Sequence, residues 1–213
     1  MRFERKYRVE GMAPFVLEQL ILLHPAAFEK VFPDRQVNNV YWDTATWDLA
    51  QDGINGIAVR AKIRVRWYGT TAGQLNKPVL EIKSKTNMLG EKTLMPLPDC
   101  TWHNLPQLVE EQLRERFSGN SFQPVLVNTY HRAYYLSIDG RFRLTIDQGM
   151  AYGAFLPWNF AVPLEDTGMV IELKYDARED GAADEIAAYL GLTMTKHSKY
   201  TRGLSLINHH LVI

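Results

Sequence analysis

The stretch from Arg60 to Tyr68, RAKIRVRWY, constrains the fold more tightly than any other part of the sequence. At a period of two, Arg60, Lys62, Arg64, Arg66 and Tyr68 share one face, and Ala61, Ile63, Val65 and Trp67 share the other. This alternation is that of a β-strand with one face in a core. A half-solvated strand ordinarily mixes both signs of charge with Thr, Ser and Gln. Here the polar face is purely cationic, so an anion is expected against it unless the face is simply a solvated strand surface.

The same device recurs along the chain. Arg2 to Val9 sets Glu4, Lys6 and Arg8 against Phe3, Tyr7 and Val9, and Val79 to Lys85 sets Glu81, Lys83 and Lys85 against Leu80 and Ile82. Val125 to Ile138 carries Asn128, Tyr130, Arg132 and Tyr134 on one face. Asp139-Gly140 turns it into Arg141 to Asp147, whose polar face holds Arg141, Arg143, Thr145 and Asp147. Val170 to Tyr175 sets Glu172 and Lys174 against Ile171 and Leu173. Asn38 to Asp43 and Gly90 to Leu97 read as further strands.

Helical spacing appears at Pro14 to Leu23, Leu105 to Phe117 and Ala182 to Leu190, the last closed by Gly191. A short helix is expected over Ala26 to Phe32, and KHSKYTRG starts a last one. Asp52-Gly53 and Asn55-Gly56 mark a turn into the Arg60 strand.

At 213 residues the chain is expected to form a single domain. With 24 Lys and Arg against 24 Asp and Glu the net charge is +0, so a basic site arises by segregation, and specific nucleic-acid binding is not indicated. The single Cys100 excludes an internal disulfide framework and suits a reducing compartment. No apolar run approaches the ~20 residues that cross a bilayer, and MRFERKYR lacks a signal-peptide core. A cytoplasmic protein is expected.

The apolar faces, with Phe3, Tyr7, Ile63, Trp67, Ile82, Phe142, Leu144 and Leu173, exceed what the few helices would cover on one side of a flat sheet. An α+β fold is therefore expected, in which a closed antiparallel β-barrel of about eight strands holds the cationic faces inside a basic tunnel, with helices packed outside.

FERK, VYWDT, KIRVRWYG, LEIKSK, HRAYY followed by RFRLTID, VIELKYD and KHSKYTRG, in this order and over nearly the whole chain, resemble the VTC-type polyphosphate polymerase domain of the triphosphate tunnel metalloenzyme superfamily. The resemblance implies a tunnel domain over residues 1–213 that binds ATP or another triphosphate and inorganic polyphosphate, and that transfers the terminal phosphoryl group of ATP to the polyphosphate chain. It implies Lys6, Lys62, Arg64, Arg66, Lys83, Arg132, Arg143, Lys174, Lys196, Ser198 and Lys199 as phosphate ligands. Arg64, Arg66 and Lys199 would be catalytic, and Glu172 with Glu4 would hold Mn²⁺ or Mg²⁺. The superfamily's N-terminal Glu-x-Glu-x-Lys reads Arg2-Phe3-Glu4-Arg5-Lys6, so its first glutamate is missing and a second all-protein metal site is disfavoured. A membrane-protein partner for the product is compatible with the resemblance.

The residue chemistry agrees. A triphosphate carries about four negative charges, and its transfer needs positioning and charge neutralisation more than covalent chemistry. Arg offers a planar fork of donors and Lys a mobile point charge. Two cations about 10 Å apart repel by roughly 1.7 kcal/mol at an effective dielectric of 20, which a bound polyanion relieves. A hydrolase and a non-catalytic polyphosphate sensor stand as alternatives. His24, His103, His131, His197, His209 and His210 show no metal-ligand spacing, and Trp42, Trp47 and Trp67 read as core.

Overall fold

The computed structural model describes residues 2–86, 89–117, 119–157, 159–160 and 163–208, so His209 and His210 lie outside the described residues. In chain order the elements are β1 (Arg2–Val9), α1 (Pro14–Leu22), β2 (Phe28–Asp43), α2 (Asp48–Ile54), β3 (Val59–Tyr68), β4 (Gln74–Leu75), β5 (Val79–Thr86), β6 (Leu89–Pro96) and β7 (Cys100–Thr101). They continue with α3 (Leu105–Arg116), β8 (Gln123–Ser137), β9 (Arg143–Gly153), β10 (Phe155–Leu156), β11 (Asn159–Phe160), β12 (Leu164–Asp166), β13 (Met169–Asp176), α4 (Asp180–Tyr189) and α5 (Lys199–Ile207).

Two expectations on local structure fail. The segment expected to be helical over Ala26 to Phe32 is instead a turn that leads at Phe28 into β2, whose 16 residues run on through VYWD. Phe28, Val31 and Phe32 are β-formers, and nothing after Pro25 caps a helix there. The Asp52-Gly53 and Asn55-Gly56 signals belong to α2 and its end. Asn55 is the C-cap and Gly56 takes the left-handed conformation at φ 67° that the helix exit requires. Asp43 makes this short helix possible: its Oδ1 accepts from Thr44 N at 2.7 Å and Leu49 N at 2.9 Å, and its Oδ2 from Ala50 N at 2.9 Å. Trp42 and Trp67 are core residues, whereas Trp47 is only half-buried and stands before α2 with φ 58°.

The strands pair antiparallel, but the sheet they form is not a barrel. Its nine strands follow the order β1-β13-β9-β8-β2-β3-β5-β6, with β12 on β9, and β1 and β6 do not pair with each other among the described residues. The expected closure, and with it the enclosed tunnel, is thus corrected to an open α+β sheet. The apolar faces are covered without closure, because the chain builds two cores rather than one.

The chain divides into two compact units, and β2, β8 and β9 contribute residues to each. The first comprises Met1–Arg35, Tyr130–Met150 and Glu165–His197. Its core packs Tyr7, Ile146, Ile171 and Leu173 from the strands against Leu17 and Ile21 of α1 and Ala183 and Ile186 of α4. The second comprises Gln36–Thr129, Ala151–Leu164 and Ser198–Ile213. There Ile63, Val65, Trp67, Leu80 and Ile82 pack under Leu105, Val109 and Leu113 of α3 and under Trp102. Trp102 stands edge-on to Trp67 at 6.1 Å and stacks on Phe155 at 4.7 Å. Glu4, Lys6, Glu172 and Lys174 in the first unit and Lys62, Arg64, Arg66 and Glu81 in the second alternate with these core residues, whereas Arg5 takes the helix side and pairs with Asp180 and Asp184 of α4.

Candidate phosphate-binding site

In the second unit the register of β3, β5 and β6 lays the cations out in rows. Lys62 faces Lys83, which faces Lys92 on the next strand, and Arg60 faces Lys85. Like charges directly opposed across strands destabilise a sheet. Between these rows and Arg66, Arg64 faces Glu81. Glu81, 7% exposed, is the hub: Arg64 brings Nε to its Oε2 at 3.0 Å and Nη2 at 2.6 Å, Lys92 Nζ stands at 3.2 Å, and Arg66 Nη1 lies 3.9 Å from Oε1. Burial works to raise the Glu81 carboxyl, but Arg64, Arg66 and Lys92 outweigh it and hold it down at about 2. Arg66 is oriented by a second contact, Nε to Asn39 Oδ1 at 3.0 Å. Three cationic groups thus converge on one carboxylate, which pre-positions them without matching their charge.

The first turn of α5 adds to this face. Ser198 is the N-cap, its Oγ accepting from Thr201 N at 3.4 Å and from Lys62 Nζ at 3.0 Å. Lys199 is 9% exposed. Tyr200 stacks on Tyr41 with ring centroids 4.8 Å apart, and its hydroxyl donates to Asp43 Oδ2. Tyr41 is itself opposite Arg64.

In the first unit a different cluster forms. Glu4 and Glu172 are bridged by two lysines. Lys6 Nζ lies 3.2 Å from Glu4 and 3.6 Å from Glu172, and Lys174 Nζ lies 3.4 Å from Glu4 and 3.2 Å from Glu172. Burial acts to raise the Glu4 carboxyl, yet the charges of Lys6 and Lys174 leave it lowered overall despite the repulsion of Glu172. Arg132 binds Asp147 through Nε at 2.5 Å and Nη2 at 2.6 Å and reaches Glu172 at 3.4 Å. Burial opposes the Arg132 charge, and Tyr130, Asp147 and Glu172 more than restore it.

The expected ligands therefore separate. Lys62, Arg64, Arg66, Lys83, Ser198 and Lys199 belong to the second unit, where Arg64 and Arg66 meet on Glu81, Ser198 accepts from Lys62, and Lys83 is exposed between Lys62 and Lys92. Lys6, Glu4, Arg132, Glu172 and Lys174 belong to the first. Arg143 is exposed opposite Lys174, and Lys196 is exposed. Residues overlooked as site members are Glu81, Lys92, Asn39, Asp43, Tyr200 and Asp147. Glu81 shares the parity of Lys83 in LEIK, the one signal that pointed to it.

No group of three or more His, Cys, Asp or Glu side chains suited to a metal occurs among the described residues. Glu4 and Glu172 are hard oxygen donors of the kind Mg²⁺ and Mn²⁺ take, and such ions commonly fill their remaining positions with water and phosphate oxygens.

The model of the VTC domain family matches residues 1–208. No curated protein matches the chain. Among solved structures, a candidate adenylate cyclase of Bacillus halodurans is 15% identical, with a TM-score of 0.59 over 95% of this chain and 96% of that one. A protein of Pyrococcus horikoshii OT3 is 13% identical, with a TM-score of 0.57 over 96% of each chain. A candidate adenylate cyclase of Vibrio parahaemolyticus is 15% identical, with a TM-score of 0.56 over 96% and 97%. At these identities the likeness is one of fold. Among the described residues no helix is long and apolar enough to cross a membrane.

Proposed function

The chain belongs to the VTC domain family, and from that premise we propose that it binds a triphosphate on the basic face around Glu81 and transfers a terminal phosphoryl group from ATP to a polyphosphate chain. The observation that carries the reading is the opposition of Lys62, Lys83 and Lys92 across three neighbouring strands, beside two arginines that share one carboxylate. Such a face is electrostatically unfavourable when empty and is relieved by a polyanion.

In the transfer, the bond from the terminal phosphorus of ATP to its bridging oxygen breaks, and a bond from that phosphorus to an end oxygen of the polyphosphate forms, leaving ADP. Arg64 and Arg66, whose forks suit equatorial phosphate oxygens, stabilise the charge that spreads over the moving group. Lys199, Lys62 and Lys83 neutralise the neighbouring phosphates, and Ser198 orients Lys62. Within the first unit, Lys6, Lys174, Arg132 and Arg143 form a cationic set of their own.

Glu172 and Glu4 would hold Mn²⁺ or Mg²⁺, which would supply Lewis-acid polarisation of a phosphoryl oxygen. Lys6 and Lys174 already bridge these carboxylates, so metal and lysines compete for the same oxygens.

Incubation of the purified protein with ATP and Mn²⁺ tests the reading, with the products resolved on a gel that displays polyphosphate. A ladder of growing chains is expected. Free phosphate with no ladder makes the protein a hydrolase, and binding without ATP consumption makes it a sensor.

A further inference from the structure

Tyr200 and Asp43 are 2% and 0% exposed, and neither is needed to contact phosphate. Asp43 accepts from the backbone amide of Thr44, from those of Leu49 and Ala50 in the first turn of α2, and from the hydroxyl of Tyr200 on α5. One buried carboxylate therefore ties two helices to the end of β2. The Tyr200 ring lies nearly parallel to Tyr41, at 16°, so the side chain is held by both its face and its tip. Burial pushes the Asp43 carboxyl up against its four hydrogen bonds, and it pushes the Tyr200 hydroxyl up as well, with Asp43 adding to the effect. The residues immediately before Tyr200 are Ser198, hydrogen-bonded to Lys62, and the buried Lys199.

We infer that Asp43 and Tyr200 are positioning residues, whose hydrogen bond, together with the Tyr41 stack, fixes the first turn of α5 on the basic face and so sets Ser198 and Lys199 for phosphate. The inference rests on the proposed phosphate-binding reading and extends it to residues that touch no phosphate. Without the Tyr200–Asp43 bond, the first turn loses its tether to the carboxylate at the end of β2. A side chain one residue away then has more orientations to lose on binding.

The experiment uses Tyr200→Phe, which retains the stack, in the parent and in Lys199→Ala, at a temperature where circular dichroism shows every variant folded. Amide exchange is read over residues 199–203, with α3 as the internal standard, and affinity for tripolyphosphate is read by calorimetry. Tyr200→Phe is expected to speed exchange in the first turn of α5 and not in α3, and to weaken tripolyphosphate binding by about tenfold. In the Lys199→Ala background the same change is expected to weaken binding by clearly less, because one of the two positioned groups is gone and only Ser198 remains to be misplaced.

A Tyr200→Phe variant that melts earlier yet shows parent-like exchange and affinity overturns the inference, as does an affinity loss that is undiminished without Lys199. A parent that binds no tripolyphosphate overturns the phosphate-binding reading and this inference with it. That outcome is distinct from a parent and a Tyr200→Phe variant that bind equally well.

Discussion

The Glu81 cluster and the Glu172 cluster are built from the same residue types on the same kind of strand, yet they differ in stoichiometry. Around Glu81 stand Arg64, Arg66 and Lys92, three cationic groups on one carboxylate. Around Glu172 stand Lys6, Lys174 and Arg132 together with Glu4 and Asp147, three cationic groups among three carboxylates. A surplus of positive charge suits an anion, whereas interleaved charges suit exchange of one cation for another. The difference teaches that a buried glutamate on a basic strand face plays two roles, a scaffold for arginines in one place and a candidate metal ligand in the other.

The comparison is broken most severely at Glu172. Glu172→Gln should lower ATP turnover in Mn²⁺ by at least about a hundredfold while tripolyphosphate still binds, since a ligand charge is lost and the basic face is not. Near-parent turnover in a steady-state assay would refute the metal role.

At Glu81 the expected effect is on stability. Its carboxyl lies at about 2 in the folded protein against 4.5 for an ordinary glutamate. A depressed acid contributes stability that is present above the unfolded value and is lost as pH falls toward the folded one. That contribution is about 3 kcal/mol. Glu81→Gln should therefore unfold at lower urea concentration at neutral pH, and its stability should depend less on pH between about 4.5 and 2. Added tripolyphosphate should restore part of the loss, because the anion takes over the carboxylate's task.

Arg66→Ala should weaken tripolyphosphate binding by roughly tenfold to a hundredfold in calorimetry, the range for a charged hydrogen bond. The smallest effects belong to the exposed Lys196 and Arg143, where Ala variants should bind within about threefold of the parent. A larger loss at either would show that the side chain contributes more to anion binding than an exposed, screened charge does.

How much of this was legible depends on the range of the interaction. The β3 face could be read from alternation alone, because side chains on a strand take sides by parity whatever their neighbours do. The helices with Pro near the start and Gly past the end were equally plain. Glu81 was visible as a residue but not as a hub, because its importance lies in standing opposite Arg64, and register is set by partners distant in sequence. Asp43 and Tyr200 are 157 positions apart, so VYWDT and KHSKYTRG gave no sign of being one structure. Helix α2 was obscured by Asp-Gly and Asn-Gly turn signals that the helix accommodates because Asp43 caps it from the strand. Closure was expected on an argument about covering apolar surface, and that argument failed because α3 and Trp102 cover the second core.

Titration of the parent protein with tripolyphosphate in the absence of divalent metal, repeated at low and high salt, tests the central claim most directly. The account predicts binding without metal, because the face around Glu81 is cationic by its own residues, with an affinity that falls as salt screens it. Heat of binding that appears only when Mn²⁺ is present, or no binding at either salt concentration, would contradict it.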